Sequence, residues 1–176
     1  MQAHDREPTT RAAILSAPPT VVAHSWRSAV IILLAALVFV VAFVHYRSDV
    51  DTTNFHPDES RWLNRAHYLE DLLDPFGPTW SDQYLTRGQP PVGSYVMGAG
   101  LLLQGQDLDT NRAWDFRRAG SWNVDNGMYP THEDLRAGRM TNVMLGAVAV
   151  SITFLAVTML SNVAGGLVAA VILTFH

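Results

Sequence analysis

The chain contains no cysteine, so disulfides, thiolate metal centres and a cysteine nucleophile are excluded. It contains no lysine either, and all 12 basic residues are arginine. That removes Schiff-base chemistry and the lysine of a phosphate-binding P-loop. Charge is scarce: 16% of the 176 residues are charged, against ~25% in ordinary soluble domains. A net charge of −4 leaves no basic footprint for nucleic acid as a partner. There is no G-x-S-x-G, H-E-x-x-H or G-x-G-x-x-G motif, and no Asn-x-Ser/Thr acceptor; nothing here matches those signatures of hydrolase, zinc or dinucleotide chemistry.

What the chain has instead is long apolar runs. Ala29 to Val44 reads AVIILLAALVFVVAFV, 16 residues with no charge. As a helix it covers roughly 24 Å, and a bilayer core is ~30 Å thick. Ser28, His45 and Tyr46 supply the difference, Trp26 and Tyr46 are placed as interfacial aromatics, and Arg27 and Arg47 can snorkel. A buried helix of a soluble core is the bland alternative, but few such helices are apolar on every face. Met140 to Phe175 forms a second run of 36 uncharged residues, too long for one crossing and nearly enough for two. Ser161-Asn162-Val163-Ala164-Gly165-Gly166 breaks it with turn chemistry. The expectation is an all-α integral membrane protein, with spans over 29–46 and 140–160 and the start of a third over 167–176. A third helix that stops part-way across a bilayer implies the N-terminal part of a longer protein.

Flanking charge sets the expected topology. Residues 1–28 carry three arginines and two acids, whereas 45–139 carry nine arginines and fourteen acids. The short, more positive tail is expected in the cytoplasm, disordered and rich in Pro and Thr, and residues 47–139 form an extracytoplasmic loop. A cleavable signal peptide is not indicated, because Val44-His45-Tyr46-Arg47 offers no small-residue cleavage site. The arginine-only basic composition suggests a GC-rich coding sequence, which points to a bacterial inner membrane.

The loop reads as mainly helical. Trp62, Ala66, Leu69 and Leu73 recur at helical spacing, so an amphipathic helix is expected from Asp58 to Leu73, resting along the interface and stopped by Asp74-Pro75-Phe76-Gly77-Pro78. Pro90-Pro91 leads into a short apolar helix ending near Leu103. Asn111 to Arg118 is expected to hold a helical turn or two, Ser121 to Gly127 to be a turn, and Thr131 to Asp134 to cap the next helix.

Chemistry concentrates at a few charged positions. Asp58-Glu59 reads either as an N-cap with a first-turn acid or as a general base held near the membrane. Arg139, with Arg136 nearly one turn earlier, reads either as an interfacial anchor or as a guanidinium that grips a phosphate bidentately. Arg117-Arg118 reads best as a solvated pair, and Trp122 and Tyr129 as packing residues that could also stack on a sugar. His45, His56 and His67 are spaced by eleven and would share a face only on one continuous helix, which Pro57 argues against. A divalent-metal site using His56 with Asp58 or Glu59 is the minor reading.

The order of these pieces resembles the N-terminal part of GT-C-type membrane glycosyltransferases, of the protein O-mannosyltransferase-like and aminoarabinose-transferase-like kinds. The resemblance rests on His56-Pro57-Asp58-Glu59-Ser60, Gln89-Pro90-Pro91-Val92 and Gly138-Arg139-Met140, set between the apolar runs. It implies a multi-span helical bundle in the bilayer and a polyprenyl- or dolichyl-phosphate sugar as donor substrate, with no certain cofactor. By the same resemblance Asp58 is the catalytic base, Glu59 its neighbour in the donor or acceptor site, and Arg139, with Arg136 beside it, a contact to the lipid phosphate. The acceptor is not indicated. The competing readings are a non-catalytic membrane scaffold whose loop binds a partner, and a transporter segment.

Overall fold

The structure, a computed structural model, describes residues 20–80 and 91–176, with side chains from 26 onward. Among the described residues every regular element is helical. Two long helices dominate. Helix α1 (Thr20–Arg47) begins directly after Pro18-Pro19 and α6 spans His132–Leu160. Within them, Trp26–Arg47 and His132–Leu160 are long and apolar enough to cross a membrane. Helix α7 (Val163–Phe175) turns back along α6. Between α1 and α6 lie α2 (Pro57–Asn64), a 3-10 turn (Arg65–His67), α3 (Tyr68–Leu73), α4 (Val92–Leu103) and α5 (Gly120–Asp125).

These elements bury two cores, and α6 belongs to both. Its C-terminal part packs with α1 and α7 through Ala35, Ala42, Ala147, Val150, Phe154 and Ala170. Small residues let the helices approach: a Cβ at Gly166 would lie 2.7 Å from the Phe154 carbonyl oxygen. Two polar bonds pin the bundle, Tyr46 Oη to the Leu173 carbonyl at 2.8 Å and Ser151 Oγ to the Ala35 carbonyl at 3.2 Å. The first turns of α6 instead face α2 and α4. There Leu63, Ala66, Met97, Leu101, Leu108 and Leu135 form the second core, flanked by Phe55, Trp62 and Leu69.

Several local expectations change. The expected tail over 1–28 lies partly outside the described residues, but 20–28 are already helical, because no proline or glycine follows Pro19 before the apolar run. The helix expected from Asp58 to Leu73 begins at Pro57 and is interrupted at Arg65–His67. His67 Nδ1 bonds the Asn64 carbonyl, and the Tyr68 N–H, which would otherwise reach that carbonyl, turns to Arg65 instead. Residues 111–118 are not helical. Their carbonyls are taken by α2: Asn64 Nδ2 donates to Asn111 O at 2.7 Å and Arg61 Nε to Trp114 O at 3.1 Å. The turn expected over 121–127 is mostly α5, with the turn itself at Asn126-Gly127, where Gly127 has φ 74°. The break before α7 is only Ser161-Asn162: Asn162 Oδ1 caps the helix by accepting from Gly165 N at 2.9 Å, so α7 starts at Val163 rather than 167. The Thr131 cap is as expected, its Oγ1 accepting from Asp134 N at 3.1 Å. Of the Pro-Pro pair, Pro90 lies outside the described residues and Pro91 caps α4.

The tightest backbone approach in the second core is α4 on the 3-10 turn, where a Cβ at Gly98 would stand 2.5 Å from the Ala66 carbonyl oxygen. Backbone cannot yield as a side chain can. Gly98→Ala is expected to lower stability by about 1–3 kcal/mol, the usual cost of overpacking. Gly120→Ala, whose Cβ meets open space, is the control and is expected to be neutral or slightly stabilising. Denaturant unfolding followed by circular dichroism compares the two.

Candidate functional site

The site begins with the start of α2. Proline at the first helical position suits the helix because the missing N–H would be unpaired there anyway. His56 is extended (φ −113°, ψ 135°) and is the N-cap; its Nδ1 accepts from Asp58 N at 3.2 Å. Glu59, three residues on, reaches back so that Oε2 accepts from His56 N at 2.8 Å. This reciprocal capping box satisfies two otherwise unpaired donors. The N-cap is therefore His56, not Asp58, and Asp58 stands in the first turn.

Capping decides which way each acid faces. Successive helical residues are ~100° apart around the axis, so Asp58 and Glu59 cannot share a direction. Glu59 turns to α6. Its Oε1 accepts from Arg139 Nε at 2.7 Å and its Oε2 from Arg139 Nη2 at 3.0 Å. The rest of the guanidinium holds the loop after α1, with Nη1 donating to Val50 O at 2.7 Å and Nη2 to Asn54 O at 3.4 Å. One residue of α6 thus ties α2 and residues 50–54 to itself. A guanidinium has five N–H groups, and one on Nη1 is uncommitted among the described residues. Of the two edges a guanidinium can offer for the bidentate phosphate grip expected from the sequence, Nε–Nη2 is engaged by Glu59 and Nη1–Nη2 by the Val50 and Asn54 carbonyls.

The remaining candidates lie around this pair. Arg136 bonds Asp51 through Nε at 3.1 Å, an ion pair about half exposed on both sides. Asp58 points away from α6, its carboxylate 59% exposed and 3.5 Å from His56 Nδ1. Because that nitrogen already accepts the Asp58 N–H, and Glu59 is committed to Arg139, the His56–Asp58–Glu59 set does not converge as metal ligands; among the described residues no group of three or more His, Asp or Glu does. His45 lies in α1 against Phe175, His56 caps α2 and His67 sits in the 3-10 turn, so the three share no face. Arg118 lies 4.0 Å from Asp115 and is exposed.

Beside the Glu59–Arg139 pair opens a cleft of about 410 Å³ between α1, α6 and α7. Its rim is polar, with Asp49, Thr53, Glu59, Arg139 and Asn142, and its floor is apolar, with Val143, Gly146, Ala149 and Leu173. Asn142 was not singled out from sequence; the signal was an amide one turn after Arg139 inside an uncharged run. Tyr46, read there as an interfacial aromatic, is a cleft wall. A cleft with a polar rim and an apolar floor suits an amphiphile in shape and polarity. Asp58 does not line it. The other side of α2 is covered by residues 111–129, a stretch the sequence left unassigned. Buried Ser60 donates to Met128 O at 2.7 Å, and Asn111 Nδ2 donates to Ser60 Oγ at 3.0 Å. Phe55 packs between Trp114 and Tyr129 in tilted geometry, with ring centroids 5.5 and 4.4 Å away.

Electrostatics follow from these partners. Burial raises the Glu59 carboxyl pKa, but the hydrogen bond from Arg139, the His56 N–H and the Arg139 charge together outweigh it and hold the group below its ordinary 4.5. A folded-state pKa below the unfolded value stabilises the fold above the unfolded value, and that contribution is lost as pH falls through the lowered one. Stability is therefore expected to drop as pH is taken below 4.5, and Glu59→Gln is expected to flatten that part of the profile. Arg139→Met, which leaves Glu59 half-buried without its partner, is expected to cost about 3 kcal/mol or more. Arg136→Met, in an exposed pair, is expected to cost under about 1 kcal/mol. Unfolding midpoints across pH check all three.

Compared with family models, with curated proteins and with solved structures, the chain finds no match.

Proposed function

We propose that this chain carries the catalytic loop of a membrane glycosyltransferase that moves a sugar from a polyprenyl- or dolichyl-phosphate donor to an acceptor hydroxyl. The membrane part of the reading is supported by outward-facing apolar surface. Leu33 and Ile32 of α1 are 70% and 67% exposed, and only 11% and 28% of the two apolar windows are buried within the chain. A soluble core helix would bury its apolar faces, and continuous exposed apolar surface marks contact with lipid or protein. The expected orientation, N-terminus in the cytoplasm of a bacterial inner-membrane protein, belongs to the same proposal.

The observation that carries the enzyme reading is the division of the two neighbouring acids. Glu59 is spent on Arg139, while Asp58 stands free of that pair, one residue away and exposed. A carboxylate already locked to a guanidinium is a poor proton acceptor, so Asp58 is the base. In the proposed reaction the acceptor oxygen attacks the anomeric carbon as its proton passes to Asp58. The bond from that carbon to the phosphate oxygen breaks, and the lipid phosphate leaves with the electron pair. One displacement inverts the sugar carbon. A phosphate leaves without being protonated where cationic donors meet its charge, so one carboxylate suffices, whereas glycoside hydrolysis uses two. Arg139 acts on the leaving group through its uncommitted N–H and sets the α2 N-terminus that carries Asp58. The cleft's apolar floor suits the first isoprene units of the carrier, and because Asp58 does not line the cleft the reading requires the sugar to extend from it over the α2 N-terminus to Asp58.

Asp58→Asn in the full-length protein tests this. The expected outcome is a loss of sugar transfer of about 100-fold or more, the range for removal of a general base, with membrane insertion and helicity unchanged. The readout is transfer of radiolabelled sugar from polyprenyl-phosphate-mannose in isolated membranes, and other polyprenyl-phosphate sugars if mannose is not used. A fully active Asp58→Asn enzyme would remove Asp58 from the role of base.

A further inference from the structure

Helix α4 is apolar, yet its 12 residues rise only about 18 Å, too little to cross a ~30 Å bilayer core. From Pro90 to Gln106 the chain has no charged residue. Its contacts fix where it lies. Gln104 Nε2 donates to the Ala137 carbonyl at 2.9 Å and to Thr141 Oγ1 at 3.2 Å. Towards its N-terminus, Val96 shares a groove of about 360 Å³ with Leu103, Phe43 of α1, and Met140, Met144 and Leu145 of α6. Met144 and Leu145 lie five and six residues beyond Arg139, or about 8–9 Å further along α6. Phe43 lies one turn inside Arg47. The N-terminal half of α4 is thus held level with uncharged residues of the two long apolar helices, whereas its C-terminus, bonded at Ala137, is level with Arg136 and Arg139.

Its free surface continues theirs. Val92, Leu102 and Leu103 are 61%, 51% and 88% exposed. Helices α2 and α3 run parallel to α4, with Trp62 against Gly93 and Leu69 against Gly98, which brings exposed Leu73 and Phe76 to the same end as Leu103. The polar side chains that line the groove, Gln104 after α4 and Thr141 of α6, are paired inside the chain. Gln104 is bonded as above, and Thr141 Oγ1 donates to the Ala137 carbonyl at 3.0 Å. The C-terminus is closed by Gly105, φ 79°, with Gln106 N donating to Leu101 O at 3.1 Å, and so presents no open carbonyl from that residue. A helix end arranged this way can sit in an apolar medium without stranding backbone groups.

We infer that α4 is an embedded, non-spanning helix: it lies among the lipid acyl chains at one edge of the bilayer, and the groove between α1, α4 and α6 opens sideways onto those chains. The N-terminal half of α4, level with residues about 8–9 Å beyond Arg139 along α6, matches the ~5–10 Å at which interfacial helices bury an apolar face; the helix tilts up to the arginine level at Gln104. The inference rests on the membrane reading proposed above. It goes further by assigning part of the loop between α1 and α6 to the bilayer and naming lipid acyl chains as the partner of α4.

The absence of cysteine makes the test direct. Nitroxide labels are attached to Leu37→Cys (α1), Leu103→Cys and Val92→Cys (α4) and Ser121→Cys (α5), one per protein, in the full chain reconstituted into phosphatidylcholine vesicles. Collision with oxygen, which concentrates in lipid, is compared with collision with a water-soluble nickel chelate. The expected result is several-fold preference for oxygen at positions 37, 103 and 92, and for nickel at 121. Oxygen preference at 37 with nickel preference at 103 and 92 overturns the inference and leaves the membrane reading intact. Protection of 103 and 92 from both agents means that protein, such as a second copy, covers α4, and also overturns it. Nickel preference at 37 overturns the membrane reading and this inference with it. Circular dichroism confirms that each labelled variant keeps its helicity, and the two α4 positions check one another.

Discussion

The fork of Arg139 closing on Glu59 is the contact on which the upper part of the molecule depends. Its bonds join three segments that are far apart in sequence: the loop after α1, the start of α2 and the start of α6. Removing a charge from water is costly, and an ion pair with little access to solvent repays that cost only when its hydrogen-bonding groups are also used. Here they are. Glu59 accepts from two nitrogens of Arg139 and from the His56 backbone, and the guanidinium spends its remaining edge on two carbonyls. The side chains are 13% and 26% exposed, so solvent screens the pair weakly.

That contact also orients the acid that it does not include. With Glu59 drawn towards α6, the helical twist turns Asp58 about 100° away from that direction. The capping box and the ion pair act in the same direction, because one carboxylate serves both. The proposed base thus owes its position to its neighbour. A second layer fixes α2 from behind, where Ser60, Arg61 and Asn64 take carbonyls of residues 111–128. Those side chains override the weak helical tendency of 111–118, a case of long-range partners defeating local propensity.

Helix α6 gives the architecture its continuity. Its first turns hold the polar pair and the second core, and its later turns pack against α1 and α7. Because it is one uninterrupted helix, the spacing between the Arg139 pair and the cleft floor at Val143, Gly146 and Ala149 is set by helical rise alone. The pair and the cleft share one face of that helix, along 139, 142, 146 and 149, and the α4 groove occupies another, along 140, 141, 144 and 145.

Much of the scaffold was legible in the chain itself. Apolar runs of 16 and 36 residues read as long helices, the Ser161–Gly166 stretch marks a break in the second, and Thr131 announces a helix start, because these signals depend on neighbours within a turn or two. The composition also excluded thiol and lysine chemistry outright. Asp58, Glu59, Arg136 and Arg139 could be named as the chemical candidates from residue type and position. What could not be read was who pairs with whom. That Arg139 takes Glu59, that Arg136 goes to Asp51 and that residues 111–129 clamp α2 all depend on contacts between segments roughly 50 to 90 residues apart. Such contacts are decided by three-dimensional packing and by the requirement that each buried polar group find a partner, which no local pattern along the chain encodes.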